Sequence, residues 1–252
     1  MRIVVLAIAV CLVGAPCWAQ TRQTIDLRGH EQTIYVYGSP KADPVIVSSG
    51  DGGWIHLGPS VAEFLAAHGF FVTGFDVRAY LTSFTSSRST LRPEDVPGDY
   101  ATLLQRARGE SGKKPILIGV SEGGGLSVLA AGNPTFKPQI AGVIGLGVPE
   151  HTELAWRLKD ALIYFTHKTP NEPTISTSAV VGNMSPVPFA AIHSTSDEFV
   201  STAEIQNIIN HARDPKRLWM VQAANHRFTD NLPEFERRLV EAIAWVRQNS
   251  AH

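Results

Sequence analysis

The stretch that decides the fold is Pro115-Ile116-Leu117-Ile118-Gly119-Val120-Ser121-Glu122-Gly123-Gly124-Gly125-Leu126-Ser127-Val128. It passes from an apolar run through a glycine-rich turn into a helical segment. A continuous apolar run such as PILIG is what a parallel strand buried on both faces requires. Residues 119 to 123 spell Gly-x-Ser-x-Gly, the pattern of a sharp strand-turn-helix elbow. The serine of such a turn sits on a strained backbone, so its flanking residues must be small enough for strand and helix to approach. Its hydroxyl then projects beyond the strand, above a helix N-terminus that favours negative charge. A glycine-rich turn with an incidental serine is the competing reading, and the strand-turn-helix context argues against it.

Outward from this point, strands and helices alternate. Pro44–Ser48 (PVIVS), Phe70–Phe75, Ile140–Leu146, Pro188–Ile192 and Leu218–Val221 read as further strands. Helices are expected after Pro59, over Asp95–Arg108, from the elbow to Ala131, over Ala203–Ala212 and over Pro233–Gln248. Thr24–Leu27 and Thr33–Tyr37 read as two short strands joined by Arg28-Gly29-His30-Glu31. Arg78–Glu94 is polar and Ser/Thr-rich and reads as a surface loop. The fold class is α/β: a three-layer domain with a mostly parallel central sheet and antiparallel N-terminal strands. Residues 20–252 form one domain, with a small lid-like insertion at about 149–186.

The N-terminus is a different object. Arg2 precedes an apolar run from Ile3 to Ala15, Pro16 breaks it, and Cys17-Trp18-Ala19 puts small residues at the expected positions. This is the pattern of a secretory signal peptide cut after Ala19, and the run is too short to span a bilayer. The expected location is the periplasm or the cell exterior. Both cysteines, Cys11 and Cys17, lie in this segment. Residues 20–252 therefore contain no thiolate nucleophile, disulfide or cysteine-ligated metal. The formal net charge of -1 excludes a basic nucleic-acid binder.

A serine needs a base to become a nucleophile. His226 follows the last strand across Gln222-Ala223-Ala224-Asn225, which is the loop position a base requires. Asp197, after the strand ending PFAAIH, is the candidate third member, with Glu198 and Glu150 as competing acids. Asp230 reads as a cap for the final helix. An oxyanion hole needs two preorganised N–H groups. One is expected from Glu122. The other is expected from the loop Ser49-Gly50-Asp51-Gly52-Gly53-Trp54, at Asp51, Gly52 or Gly53. Trp54 reads equally as a pocket wall or as core packing, and the same two readings apply to Trp156, Tyr164 and Phe165 in the insertion. No phosphate-binding glycine motif occurs, so no cofactor and no metal are expected.

With these residues in place, the chain resembles the α/β-hydrolases, and more narrowly the bacterial VirJ/AcvB virulence-protein group. The strongest match is Ser49-Gly50-Asp51-Gly52-Gly53-Trp54 after a strand, joined to the later Gly-x-Ser-x-Gly. The resemblance implies a periplasmic serine hydrolase and, for the AcvB side of the group, cleavage of an aminoacylated phospholipid, lysyl-phosphatidylglycerol. The group's elbow continues Ala-Asp where this chain has Gly124-Gly125. Glu122 is the acid left to meet a cationic headgroup, with a helix-start role as its other reading. The expected substrate is a small-molecule or lipid ester, with peripheral membrane contact and no nucleic-acid partner. The oligomeric state stays open. A non-catalytic binding or assembly factor of the cell envelope is the alternative, since a fold does not fix a function.

Overall fold

The structure, a computed structural model, describes residues 20–158, 160 and 172–250. The expected signal peptide, Tyr164 and Phe165 lie outside them. β1 (Thr21–Leu27) and β2 (His30–Tyr37) form a hairpin in which Leu27 pairs with His30. Arg28 and Gly29, the two residues between them, both have positive φ, at 57° and 86°. That is the backbone a two-residue hairpin turn with the native strand twist requires.

The parallel part of the sheet comprises β3 (Asp43–Ser48), β4 (Phe70–Phe75), β5 (Ile116–Val120), β6 (Gly142–Leu146), β9 (Phe189–Ser194) and β10 (Lys216–Val221). Two three-residue strands, β7 (His151–Glu153) and β8 (Thr174–Ser176), pair with each other outside it. The eight-stranded sheet runs β1-β2-β4-β3-β5-β6-β9-β10, with β2 antiparallel to β4. Every residue of β5, β6 and β9 is buried, which is why β5, β6 and the start of β9 read as apolar runs.

Side chains alternate between the two sheet faces, so each face has its own core. Val45, Val47, Ile118, Ile144 and Ile192 pack against α1 (Leu57–Ala67) and α7 (Leu232–Asn249) through Val61, Leu65, Leu239 and Val246. Ile46, Phe75, Leu117, Val143 and Phe189 face α2 (Val77–Phe84), α3 (Val96–Ala107), α4 (Glu122–Ala131) and α6 (Thr202–His211). A short α5 (Thr177–Val181) follows β8. This is the three-layer arrangement expected from the sequence. Among the described residues, no helix is long and apolar enough to cross a membrane.

Two segments differ from expectation. Arg78–Glu94 is not all loop, because α2 occupies its start. Asp76 caps that helix by accepting the Ala79 N–H at 2.9 Å. Val77, Tyr80 and Leu81 share its buried face, and three apolar residues at that spacing suffice when the rest of the turn is solvated. The insertion at 149–186 begins and ends, among its described residues, in the β7–β8 pair and α5.

The N-terminal hairpin is tied to the core by charge. Asp99 of α3 is 3% exposed. Its carboxylate accepts from Arg28 Nε at 2.8 Å, Arg28 Nη2 at 2.8 Å and the Tyr80 hydroxyl at 2.5 Å. Removing a buried acid strands its partners, which costs more than the pair contributes. Asp99→Ala is expected to lower unfolding stability by about 3 kcal/mol, read from the urea midpoint at constant m-value.

Candidate active site

Ser121 joins β5 to α4 with φ 49° and ψ -119°, a conformation that costs a non-glycine residue energy. The residues around it show what holds it there. A Cβ on Gly119 would lie 2.3 Å from the Gly123 carbonyl oxygen. A Cβ on Gly123 would lie 2.3 Å from the Ser49 carbonyl oxygen. Both glycines are therefore required by contact with backbone, which cannot yield. The Ser121 N–H donates to the Leu146 carbonyl at 2.9 Å, locking the elbow to β6. Glu122 is the first residue of α4, so its own N–H has no acceptor within the helix.

Asp197 and His226 come together from the loops after β9 and β10. Asp197 Oδ1 accepts the N–H groups of Phe199 and Val200, each at 2.9 Å. Its Oδ2 lies 2.6 Å from His226 Nδ1. Burial disfavours the Asp197 anion, but the His226 hydrogen bond and the two backbone donors outweigh it and hold its pKa low. Burial likewise disfavours imidazolium. The Asp197 hydrogen bond and charge prevail, aided by Glu122 and Glu198, and raise the His226 pKa.

Three further groups fix the histidine. Glu198 Oε2 accepts the His226 N–H at 2.7 Å. Gly147, at φ 58°, lies under the ring, and a Cβ there would be 2.4 Å from His226 Cε1. Asp230 accepts the Ala224 N–H through both oxygens, at 2.9 and 3.0 Å. Asp230 thus braces the histidine loop and does not cap the final helix, whose N-cap is Asn231. Glu150, the competing acid, is committed elsewhere: it accepts from Ser176 and Ser178 at 2.6 Å and from Asn207 at 3.2 Å.

Ser121 and His226 line one cleft, together with Gly50, Asp51, Gly52 and Gly53. Within the loop, the Gly53 N–H closes a turn onto the Gly50 carbonyl at 3.0 Å, so it is not an open oxyanion donor. The Asp51 N–H meets the Glu122 carboxylate at 3.2 Å. Trp54 is core rather than pocket wall. Its indole stacks on Tyr35 at 4.8 Å and fills the space over Gly74. Trp156 packs on the α2–α3 side of the core with Arg78 at 5.3 Å from its ring, and it does not line the cleft.

One acid in the cleft escapes sequence reasoning. Glu153 of β7 is 3% exposed and lines the cleft. Burial, with the charges of Glu122, Asp51 and Asp160, pushes its pKa up to about 8. Its neighbour Thr152 occupies the space beside Gly125, where a Cβ would lie 1.7 Å from Thr152 Oγ1. No larger residue fits at 125. Among the described residues, no cluster of His, Cys, Asp or Glu is placed to hold a metal ion.

The elbow, the strand order and the placement of both loops at the C-terminal strand ends decide the fold. The chain has the α/β-hydrolase fold. A family model described as bacterial virulence protein (VirJ) matches residues 43–162. The α/β hydrolase GrgF from Penicillium sp. sh18 superposes with TM-score 0.68 at 13% identity, covering 93% of this chain and 100% of that one. The Pyrococcus furiosus esterase Pf2001 gives 0.67 at 17% identity, covering 90% and 91%. A membrane phospholipase A, described as a novel bacterial virulence factor, gives 0.63 at 12% identity, covering 90% and 87%. At such identities these α/β-hydrolase structures speak for the fold. Comparison with curated proteins finds no sequence match.

Glu153 yields a test that needs no substrate. The fold holds its proton more tightly than the unfolded chain, where Glu titrates near about 4.3. That contribution is full at low pH and is lost as pH rises through about 8. Glu153→Gln carries no such loss. Thermal melts are expected to show the Tm difference moving in the variant's favour as pH rises from about 5 to about 9.

Proposed function

We propose that this chain is a serine hydrolase that cleaves a carboxylic ester through Ser121, His226 and Asp197. The observation that carries the reading is the buried Asp197–His226 hydrogen bond of 2.6 Å at a cleft shared with the strained Ser121. Asp197 holds the Nδ1 proton on the imidazole and leaves Nε2 as the base. His226 takes the Ser121 proton as the oxygen attacks the ester carbonyl, then gives it to the leaving alcohol. Water, activated by the same imidazole, frees the enzyme. In this reading the Glu122 and Asp51 N–H groups donate to the oxyanion.

The substrate we favour is an aminoacyl ester of a phospholipid. Asp51, Glu122 and Glu153 all line the cleft and suit a cationic amino acid beside the scissile bond. Ile55, 48% exposed, lines it as well and gives the mouth an apolar contact for a lipid surface. The family match to a virulence protein and the signal-peptide pattern of residues 1–19 support action in the periplasm or outside the cell.

A fluorophosphonate probe is expected to label the purified protein and not Ser121→Ala. Failure to label folded wild type, or labelling that survives in Ser121→Ala, sinks the hydrolase reading and leaves a binding or assembly role.

The pH profile is a second check. The base must be neutral, so kcat/KM is expected to rise with pH through a His226 pKa above the ordinary value of about 6.5. Asp197→Asn removes the anion that stabilises imidazolium. The rising limb should move to lower pH and the plateau should fall by roughly 10³–10⁴-fold.

A further inference from the structure

The Glu122 carboxylate turns back toward the loop after β3. Its Oε2 accepts the Asp51 N–H at 3.2 Å. The Cβ position of Gly50 lies 3.2 Å from Ser121 Cβ and 3.6 Å from the same Oε2. Nucleophile, loop amide and carboxylate therefore meet at one point. Glu122 also lies within electrostatic reach of His226.

An oxyanion forming at Ser121 needs amide donors from the loop after β3 and from the start of α4. One of the candidate donors, the Asp51 N–H, is held by a carboxylate of this chain, which sets a negative charge beside the place where the reaction must create another. A neutral ester has nothing to offer that carboxylate. A cation does. Glu153 lines the same cleft, is 3% exposed, and its carboxylate has no hydrogen-bond or ion-pair partner among the described residues. An ammonium placed between Glu122 and Glu153 gives both acids a partner and frees the Asp51 N–H.

We propose that Glu122 is a plug on the oxyanion site that a cationic substrate withdraws, making it the residue that discriminates charged from neutral esters. The inference rests on the hydrolase reading above and adds a reason for selectivity that does not depend on tight binding. The neutral ester is refused because the site is closed to it, so discrimination falls on the reacting state. The competing role for Glu122 is a brace, a side chain that merely holds the loop after β3.

Matched substrates separate the two. Lysine methyl ester carries cationic amines, and its Nα,Nε-diacetyl derivative has the same ester without charge. Wild type, Glu122→Gln and Glu122→Ala are assayed on both, alongside the rate of labelling by a neutral fluorophosphonate and the Tm. A plug predicts that Glu122→Ala gains on the neutral ester, and in probe labelling, on the order of tenfold, below the 10²–10³ that a whole donor is worth, and that Glu122→Gln, which loses the charge but keeps an oxygen on the Asp51 N–H, gains less. It predicts that both lose on the cationic ester, so the preference shrinks or inverts. A brace predicts losses on both esters in Glu122→Ala, with Glu122→Gln restoring them through its amide oxygen. That outcome, or an unchanged ratio of the two esters in variants that still label, overturns the plug while leaving the hydrolase reading intact. Absence of labelling in all three folded proteins overturns the hydrolase reading and the plug with it.

Discussion

The contact on which this site depends is the backbone approach between β5 and α4, where Gly119 meets Gly123 and Gly123 meets Ser49. One pair of glycines sets three things at once. It allows the φ of 49° that lifts Ser121 off the strand end. It aims the start of α4, with its open N–H groups, at the same place. It also seats the loop after β3 against α4, since a Cβ on Gly123 would strike the carbonyl oxygens of Ser48 and Ser49. Each consequence follows from close backbone contact, which repacking of flexible side chains cannot relieve.

Charge is distributed unevenly around that point. On the histidine side the main groups are answered: Asp197 by two N–H groups and an imidazole, the His226 backbone by Glu198, and the loop by Asp230. On the substrate side acids accumulate around Glu153, whose environment is unfavourable to its ionised form. An arrangement that stabilises a developing anion and yet gathers carboxylates beside it works against itself for a neutral substrate. A positively charged one would reconcile the two halves, which is why we propose an aminoacyl ester as the substrate.

The elbow, Asp197 and His226 were legible because each stands at the end of an apolar run, where strand periodicity breaks and polar residues have no packing role. Chain order then limited the choices. Chain order favoured Asp197 as the partner of His226 but left Glu150 in competition, because both acids follow strands and only the hydroxyls of Ser176 and Ser178, far along the chain, explain where Glu150 goes. Trp54 was ambiguous for a similar reason: the space it fills is made by Gly74 and Tyr35 on other strands. Helix α2 hid behind a polar composition, its buried face being only Val77, Tyr80 and Leu81. Glu153 sits on a three-residue strand, too short to produce any period, so nothing in its local sequence marked it as buried.

The parallel order β3-β5-β6-β9-β10 has a kinetic meaning. Parallel neighbours cannot be joined by hairpins, so each pairing brings together residues far apart in the chain, and such contacts form slowly. The site gathers Gly50, Ser121, Gly147, Asp197 and His226, one from the C-terminal side of each of these five strands in turn. No shorter stretch that stops before residue 226 contains all five. The proposed triad therefore assembles only with the complete parallel sheet, and a partly folded chain, however native its first half, holds Ser121 with neither Asp197 nor His226 beside it.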